Sequence, residues 1–295
     1  MIVLNGLGDR GIPSFGGKTP LEVAQTPNMD SLASAGQCGL VDPLFPGMPV
    51  STHSGFCPLF GLSRKQTLQL AREASDVEFN CQSVEPHPLN QKHKQQMLPP
   101  ANGLLRHSPG KPLKTESLIS HLKLKAAVIS GERTVLGLAT LLGYKLFENS
   151  RFTGALDTDL HTKAATALAA LKHHDLVYLH INAPATTSHK MNPNSKREIL
   201  LRIDNAITPL INDELIIGIT ADHSTDSNTG RNTGDPVPSL IYNPCGRIDQ
   251  CKEFNESACG RGGLGRISSF GFLLTFLDQM SRLEDFTPKD GSYIF

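Results

Sequence analysis

The order of apolar and polar positions divides most of the chain into short strands and amphipathic helices. "MIVLNG" opens with a β-branched run and then turns on glycine. "KAAVIS" (125–130), "LVYLHI" (176–181) and "LIIGIT" (215–220) are continuous apolar runs, the pattern of strands covered on both faces. Between them, "DTDLHTKAATALAALKHH" and "NSKREILLRIDNAITPLI" repeat their apolar positions with helical period. "TPNMDSLASAG" reads as a helix with Thr26 as N-cap, Pro27 at the first helical position and Gly36 as terminator. Strand-length and helix-length patterns alternate, which predicts an α/β fold with a largely parallel sheet.

One segment departs from this rhythm. From about Ser63 to Pro112 the chain turns polar, and "HPLNQKHKQQMLPPANGLLRHSPGK" holds His, Pro and Lys without alternation. It is either a long functional excursion or a small inserted subdomain. No internal repeat or low-complexity tract accompanies it.

Composition narrows the classes of function. The 295 residues carry 28 Lys plus Arg against 28 Asp plus Glu, a formal net charge of zero. No long-range electrostatic footprint for nucleic acid or an anionic membrane results. The six cysteines form no CxxC pair, and the chain opens without a charged n-region and an apolar h-region. Free thiols in a reducing cytosol are the expectation. No apolar run approaches the ~20 residues that span a bilayer. These features predict a soluble cytoplasmic protein.

In a parallel sheet, ligands gather at the carboxyl ends of strands, which points to "NGLGDR", "NAPATTSH" and "ADHST". Asp222 and His223 set an acid beside an imidazole at a strand end, suited either to a metal ion or to a structural hydrogen-bonded pair. His189 sits at the equivalent end of a neighbouring strand, and this donor set suits Mn or Zn. "PVSTHSGF" (49–56) offers Ser51, Thr52, His53 and Ser54 before a helical run. A hydroxyl there is either an activated nucleophile or an ordinary N-cap. "GRGGLGRI" (260–267) is a Gly-rich run with no Walker lysine. Its Arg261 and Arg266 are candidates for holding an anion, or are solvated surface arginines.

Several motifs then fall into one pattern. "NGLGDRGIP…GKTPLEVAQTPNMDSLASAG", "CGLVDPLFPG", "HPLNQKHKQQMLPPAN", "DTDLHTKAATALAAL", "ITADHST", "GDPVPSLI" and "GGLGRI" together resemble the archaeal-type cofactor-independent phosphoglycerate mutases, members of the alkaline phosphatase superfamily. The resemblance runs in order from residue 1 to about 281. It implies an alkaline-phosphatase-like α/β core of residues 1–63 and 113–295, with 64–112 a reduced form of the family's inserted substrate-binding domain. It also implies the glycolytic exchange of 3-phosphoglycerate and 2-phosphoglycerate, with two divalent cations, usually Mn, and a serine that carries the phosphoryl group.

Carried over residue by residue, the resemblance implies an altered site. The family's first ligand, an Asp, falls on Asn5. Its nucleophile falls on Thr52, nine residues before Gly61, or on Ser51 or Ser54 if the loop shifts. In "APATTSH" (183–189) the Asp ligand falls on Ala185, while His189 is kept. Asp222 and His223 match the family's Asp-His pair. The last His ligand falls on Asn232, three residues before Asp235. A lysine expected near 136 is Leu136, and the insert has only about 50 residues.

One cation site, for Mn or Zn, is therefore expected to survive. Two readings follow. One is an active mutase or phosphomonoesterase using Thr52, a single metal and a small phosphorylated metabolite. The other is a relative that keeps the fold with mutase activity impaired or lost. A truncated or spliced product is a third, but it does not account for the separate ligand substitutions.

Overall fold

The computed structural model describes residues 1–75 and 116–283. The "HPLNQKHKQQMLPPAN" motif lies outside the described residues. The chain divides into two compact units, Met1–Arg64 with Thr115–Phe295, and Lys65–Lys114.

The first unit is built on a central sheet of eight strands. They are β1 (Ile2–Leu4), β2 (Gln37–Asp42), β3 (Ala126–Ile129), β4 (Lys145–Phe147), β5 (Leu176–Ile181), β6 (Ile217–Thr220), β9 (Val237–Tyr242) and β10 (Gly265–Ser268). A separate antiparallel ribbon pairs β7 (Ser224–Asp226) with β8 (Arg231–Thr233). The sheet order is β10-β2-β9-β6-β1-β5-β3-β4. Every neighbouring pair is parallel except β2–β9 and β6–β9, so β9 alone runs against the rest.

The apolar runs read from the sequence become the buried middle of this sheet. All six residues of β5 and all four of β3 and of β6 are buried, as strands covered on both faces require. Among the described residues the α-helices are α1 (Pro20–Val23), α2 (Pro27–Ser34), α3 (Thr52–Leu59), α4 (Arg64–Ser75), α5 (Leu118–His121), α6 (Arg133–Leu141), α7 (Leu160–Ala170), α8 (Ala183–His189), α9 (Pro193–Ala206), α10 (Glu256–Cys259) and α11 (Ser269–Gln279). In the core unit, α3 packs with α6 and α11, while α9 packs with α1, α2, α7 and α8. Helix α9 buries Lys196, Ile199, Leu200 and Ile203, one stripe at helical spacing.

Two local details set the site's surroundings. Thr26 stands at the N-cap of α2 but its side chain makes no capping bond. Asp204, on α9, accepts from the amides of Met29 at 2.8 Å and Asn28 at 3.1 Å instead. A tertiary carboxylate thus replaces the local cap. At the other end of the site's main helix, Tyr178 and Tyr144 donate to the carbonyls of Leu59 and Phe60 at 2.7 and 2.6 Å. Their rings surround that of Phe60, with centroids 4.9 and 5.3 Å away. These contacts fix the C-terminus of α3, and so the position of its first residue, Thr52.

Candidate metal centre

Three parallel strands end side by side. Leu4 pairs with Ile181 and Val3 with Thr220, so Asn5, Asn182 and the Ala221–His223 segment emerge at one edge of the sheet. The Asn5 amide donates to the Ile181 carbonyl at 3.0 Å. The chain then turns at Gly6, whose φ of +66° is costly for any residue with a Cβ. A Cβ there would also lie 2.8 Å from the Ala185 methyl and 2.7 Å from Thr225 Oγ1.

Helix α3 closes the site from above. Its first turn presses so near to β6 that a Cβ on Gly55 would stand 2.0 Å from the Asp222 carbonyl. Ser51 is the N-cap and Ser54 its reciprocal partner, each hydroxyl meeting the other residue's amide. Both hydroxyls are engaged in the cap. Thr52 is instead turned to the strand ends, with its Oγ1 3.3 Å from Asn5 Nδ2 and 3.4 Å from His223 Nε2.

Asp222 and His223 are buried, and His223 Nε2 lies 3.4 Å from Asp222 Oδ2. Both oxygens of Asp222, and Oδ1 of Asn5, are buried without a well-formed hydrogen bond. Burial pushes the Asp222 carboxyl up to about 8, although the amides of Gly6 and His223 and the Thr52 hydroxyl face it and oppose that effect. Burial likewise lowers His223 to about 3, with His189 and Lys196 adding to it. Without a bound ion, burial thus favours the uncharged form of each group. Buried, unsatisfied oxygens beside an imidazole are the arrangement that a cation completes.

A relay sets the tautomer of His223. Thr225 Oγ1 donates to Asn232 Oδ1 at 3.2 Å, so it accepts from His223 Nδ1 at 3.0 Å. Asn232 Nδ2 in turn donates to the Val50 carbonyl at 2.9 Å. With its proton on Nδ1, His223 presents the Nε2 lone pair toward Asp222 and Thr52, as a metal-binding imidazole must.

The remaining candidates stand apart from this group. Ala185 is buried and turned onto Gly6. His189, exposed at the end of α8, has its Nδ1 2.9 Å from the Gly230 carbonyl. Arg261 is exposed. Arg266 makes a two-pronged contact with Asp42, at 2.9 and 2.8 Å, across the β10–β2 pair. The Gly-rich run is thus the entry to an edge strand. Leu136 is buried on α6 and lines a cavity of about 340 Å³ with Ser130, Arg133 and Glu148.

Three supporting residues escape a reading of the sequence. Asn182 accepts from Asn5 Nδ2 at 2.5 Å and, like Asn5, directly follows a strand. Thr225 lies within "ITADHST" on β7, but nothing in the sequence gives it a role. Lys196 is wholly buried, with Nζ 2.9 Å from Asp9 Oδ2 and 3.3 Å from the carbonyls of Gly8 and Thr225. It ties the loop after β1 to the ribbon after β6. Its place among Ile199, Leu200 and Ile203 on the buried stripe of α9 is the signal that could have exposed it.

Comparison with known proteins agrees with this geometry. Residues 1–276 match the Metalloenzyme superfamily. A 2,3-bisphosphoglycerate-independent phosphoglycerate mutase of Thermococcus kodakarensis is 27% identical over 405 aligned positions, covering 97% of this chain and 98% of the relative. The PH0037 protein from Pyrococcus horikoshii superposes with a TM-score of 0.82 at 26% identity, covering 97% and 98% of the two chains. The alkaline phosphatase of the Antarctic bacterium TAB5 shares the fold, with a TM-score of 0.50 at 11% identity over 95% and 96%. Among the described residues no helix is long and apolar enough to cross a membrane. With an alkaline-phosphatase-like sheet, an acid and an imidazole at its strand ends and a match over nearly all its length, the chain belongs to the Metalloenzyme superfamily, and its relatives include the archaeal 2,3-bisphosphoglycerate-independent phosphoglycerate mutases.

Proposed function

We propose that this protein holds one divalent cation, Mn or Zn, at Asp222, His223, Asn5 and Thr52, and that the mutase activity named for its relatives is impaired or lost. The observation that carries this reading is the contrast between the two halves of the site. In one half, buried oxygens of Asp222 and Asn5 lack partners beside a correctly protonated His223. In the other, Ala185 offers only a methyl group and Asn232 is committed to Thr225 and Val50. His189 alone is left there as a donor, and a single imidazole holds such an ion weakly.

A cation bound at Asp222 would supply positive charge for phosphoryl oxygens and lower the pKa of a nearby hydroxyl. The chain's own residues do the rest. Asp222 brings the negative charge that the ion needs, and His223 brings a lone pair aimed by Thr225. Thr52 is the first residue of α3, where free amides and the helix dipole favour an anion. A small phosphorylated metabolite is the ligand class that suits this end of the sheet; the neutral net charge offers nothing to nucleic acid or a membrane. The segment 64–112 serves as a reduced substrate domain. An alignment of 405 positions against 295 residues supports a relative with more chain.

Manganese titration of the full chain, run beside an enolase-coupled assay with 3-phosphoglycerate, tests this reading. We expect one Mn site that Asp222→Asn abolishes, and turnover no greater than that of Thr52→Ala. Two Mn ions lost together in Asp222→Asn, or sustained turnover above the Thr52→Ala control, would sink it. The cap bonds that occupy Ser51 and Ser54 while Thr52 faces His223 favour a second reading, a single-metal phosphomonoesterase. Metal-dependent release of phosphate that vanishes in Thr52→Ala would select it.

A further inference from the structure

Because β2 runs parallel to β6, Cys38 near the start of β2 lies at the opposite end of the sheet from Asp222. There Cys38 Sγ, Cys251 Sγ and a carboxylate oxygen of Asp249 all lie within 4.8 Å of one another. The Cys38 thiol also meets that of Cys259. All three cysteines are buried and none is in a disulfide. These groups come from distant parts of the chain: one from a strand, two from the loop after β9, and one from the end of α10.

Buried cysteines commonly act as small apolar fillers. Two of them gathered at a carboxylate, with a third thiol against Cys38, call for more. Asp249 is held by three amides, accepting from Cys38 at 2.7 Å, Gly263 at 2.6 Å and Cys251 at 2.8 Å. Such bonds orient a ligating carboxylate and offset part of its charge, and the Cys251 thiol faces it as well. The Cys251 thiol donates to the Ala258 carbonyl at 3.2 Å, so it is protonated in the metal-free molecule. Burial, with Cys38 and Asp249 adding, pushes it up to about 12.

We propose that Cys38, Cys251, Cys259 and Asp249 form a closed structural site for a thiophilic divalent cation of the zinc type. Thiolate ligands select zinc over hard ions such as Mn or Mg. Zinc–sulfur bonds of about 2.3 Å place the sulfurs of a tetrahedron about 3.8 Å apart. Closing the 4.8 Å spread of Cys38, Cys251 and Asp249 to that value is within the reach of side-chain rotation, and Cys259 joins the group through its contact with Cys38. The ion replaces the thiol protons, so its binding releases protons and weakens as pH falls. Four protein ligands leave no open position, so the site is structural and not catalytic. It pins the loop between β9 and β10, whose only helix is the one-turn α10, onto the start of β2. No CxxC spacing announces it, because Cys38 joins only through the fold.

The test uses full-length wild type and Asp222→Asn, purified without chelator and loaded with zinc or with cobalt. We expect Asp222→Asn to keep one thiolate-bound ion per chain, and cobalt to give an intense near-ultraviolet thiolate charge-transfer band. Cys251→Ser and Cys259→Ser should each weaken zinc binding by about tenfold or more and dim that band. A cobalt-loaded wild type without the band overturns the proposal, even if the serine variants fail to fold. So does a disulfide joining Cys38 to Cys251 or Cys259 in protein made under reducing conditions. The band is blind to oxygen and nitrogen ligands, so failure here is distinct from failure of the site at Asp222.

Discussion

Thr225 decides whether His223 can serve a cation. Its hydroxyl sits between His223 Nδ1 and Asn232 Oδ1, and that chain of donors leaves Nε2 with its lone pair toward Asp222. Asn232 occupies the position where the family resemblance implies a histidine ligand. In this chain it acts on the cation site through Thr225 and Val50. Replacing Thr225 by the isosteric Val strands both neighbours, and outer-shell losses of this kind cost about 10–100-fold in metal affinity. Calorimetric titration of Thr225→Val should therefore show Mn or Zn binding weakened by about tenfold or more, with Thr225→Ser close to wild type. Unchanged affinity in Thr225→Val would assign the Nδ1 proton to the Ser224 carbonyl, 3.4 Å away, and remove the relay. From the sequence, Asp222 and His223 were legible as a strand-end pair. The relay was not, because a threonine on a short strand looks the same whether or not its hydroxyl has a histidine to hold.

At the scale of elements, the site depends on helix α3 and on the loop and ribbon beside it being clamped to their neighbours. Helix α3 carries Thr52, and its position rests on the Tyr144 and Tyr178 bonds at its far end and on Gly55 at its near end. The loop after β1 and the β7–β8 ribbon meet at Lys196, which α9 delivers into the interior. Burial lowers the Lys196 pKa, with Asp9 opposing it. Asp9 also accepts from the Ser227 amide and hydroxyl at 2.9 and 2.5 Å. Removing one partner of a buried ion pair leaves an uncompensated charge and costs about 3–5 kcal/mol. Lys196→Ala should lose stability in that range by urea denaturation, and Lys196→Met with Asp9→Asn should recover a good part of it. A loss below about 1 kcal/mol for Lys196→Ala, the scale of an exposed pair, would show that this pair does not clamp the loops.

At the scale of the whole molecule, the excursion from the core begins and ends at adjacent points. The Leu118 amide donates to the Gly61 carbonyl at 2.7 Å, so the two flanks of the excursion meet within the core unit. Loop closure costs little between ends already held together. Replacing residues 65–114 by a short Gly-Ser linker should leave a folded, cooperatively melting core that still binds Mn. A core that is unfolded by circular dichroism would contradict this. Taken alone, the sequence determined the α/β class, the parallel strands and the strand ends where ligands gather, because burial on both faces writes itself as continuous apolar runs. It also determined Asp222 and His223 as a pair, since neighbours in sequence at a strand end are neighbours in space. Tertiary structure alone decided that Asp204 and not Thr26 caps α2, that Arg266 is spent on Asp42, and that Thr225 orients His223. It alone brought Cys38 to Cys251 and Cys259. Apart from the short step from His223 to Thr225, which the pairing of Thr225 with Asn232 directs, each of these contacts joins residues set side by side only by packing or strand pairing in the folded chain, and hydrophobic periodicity carries no record of such meetings.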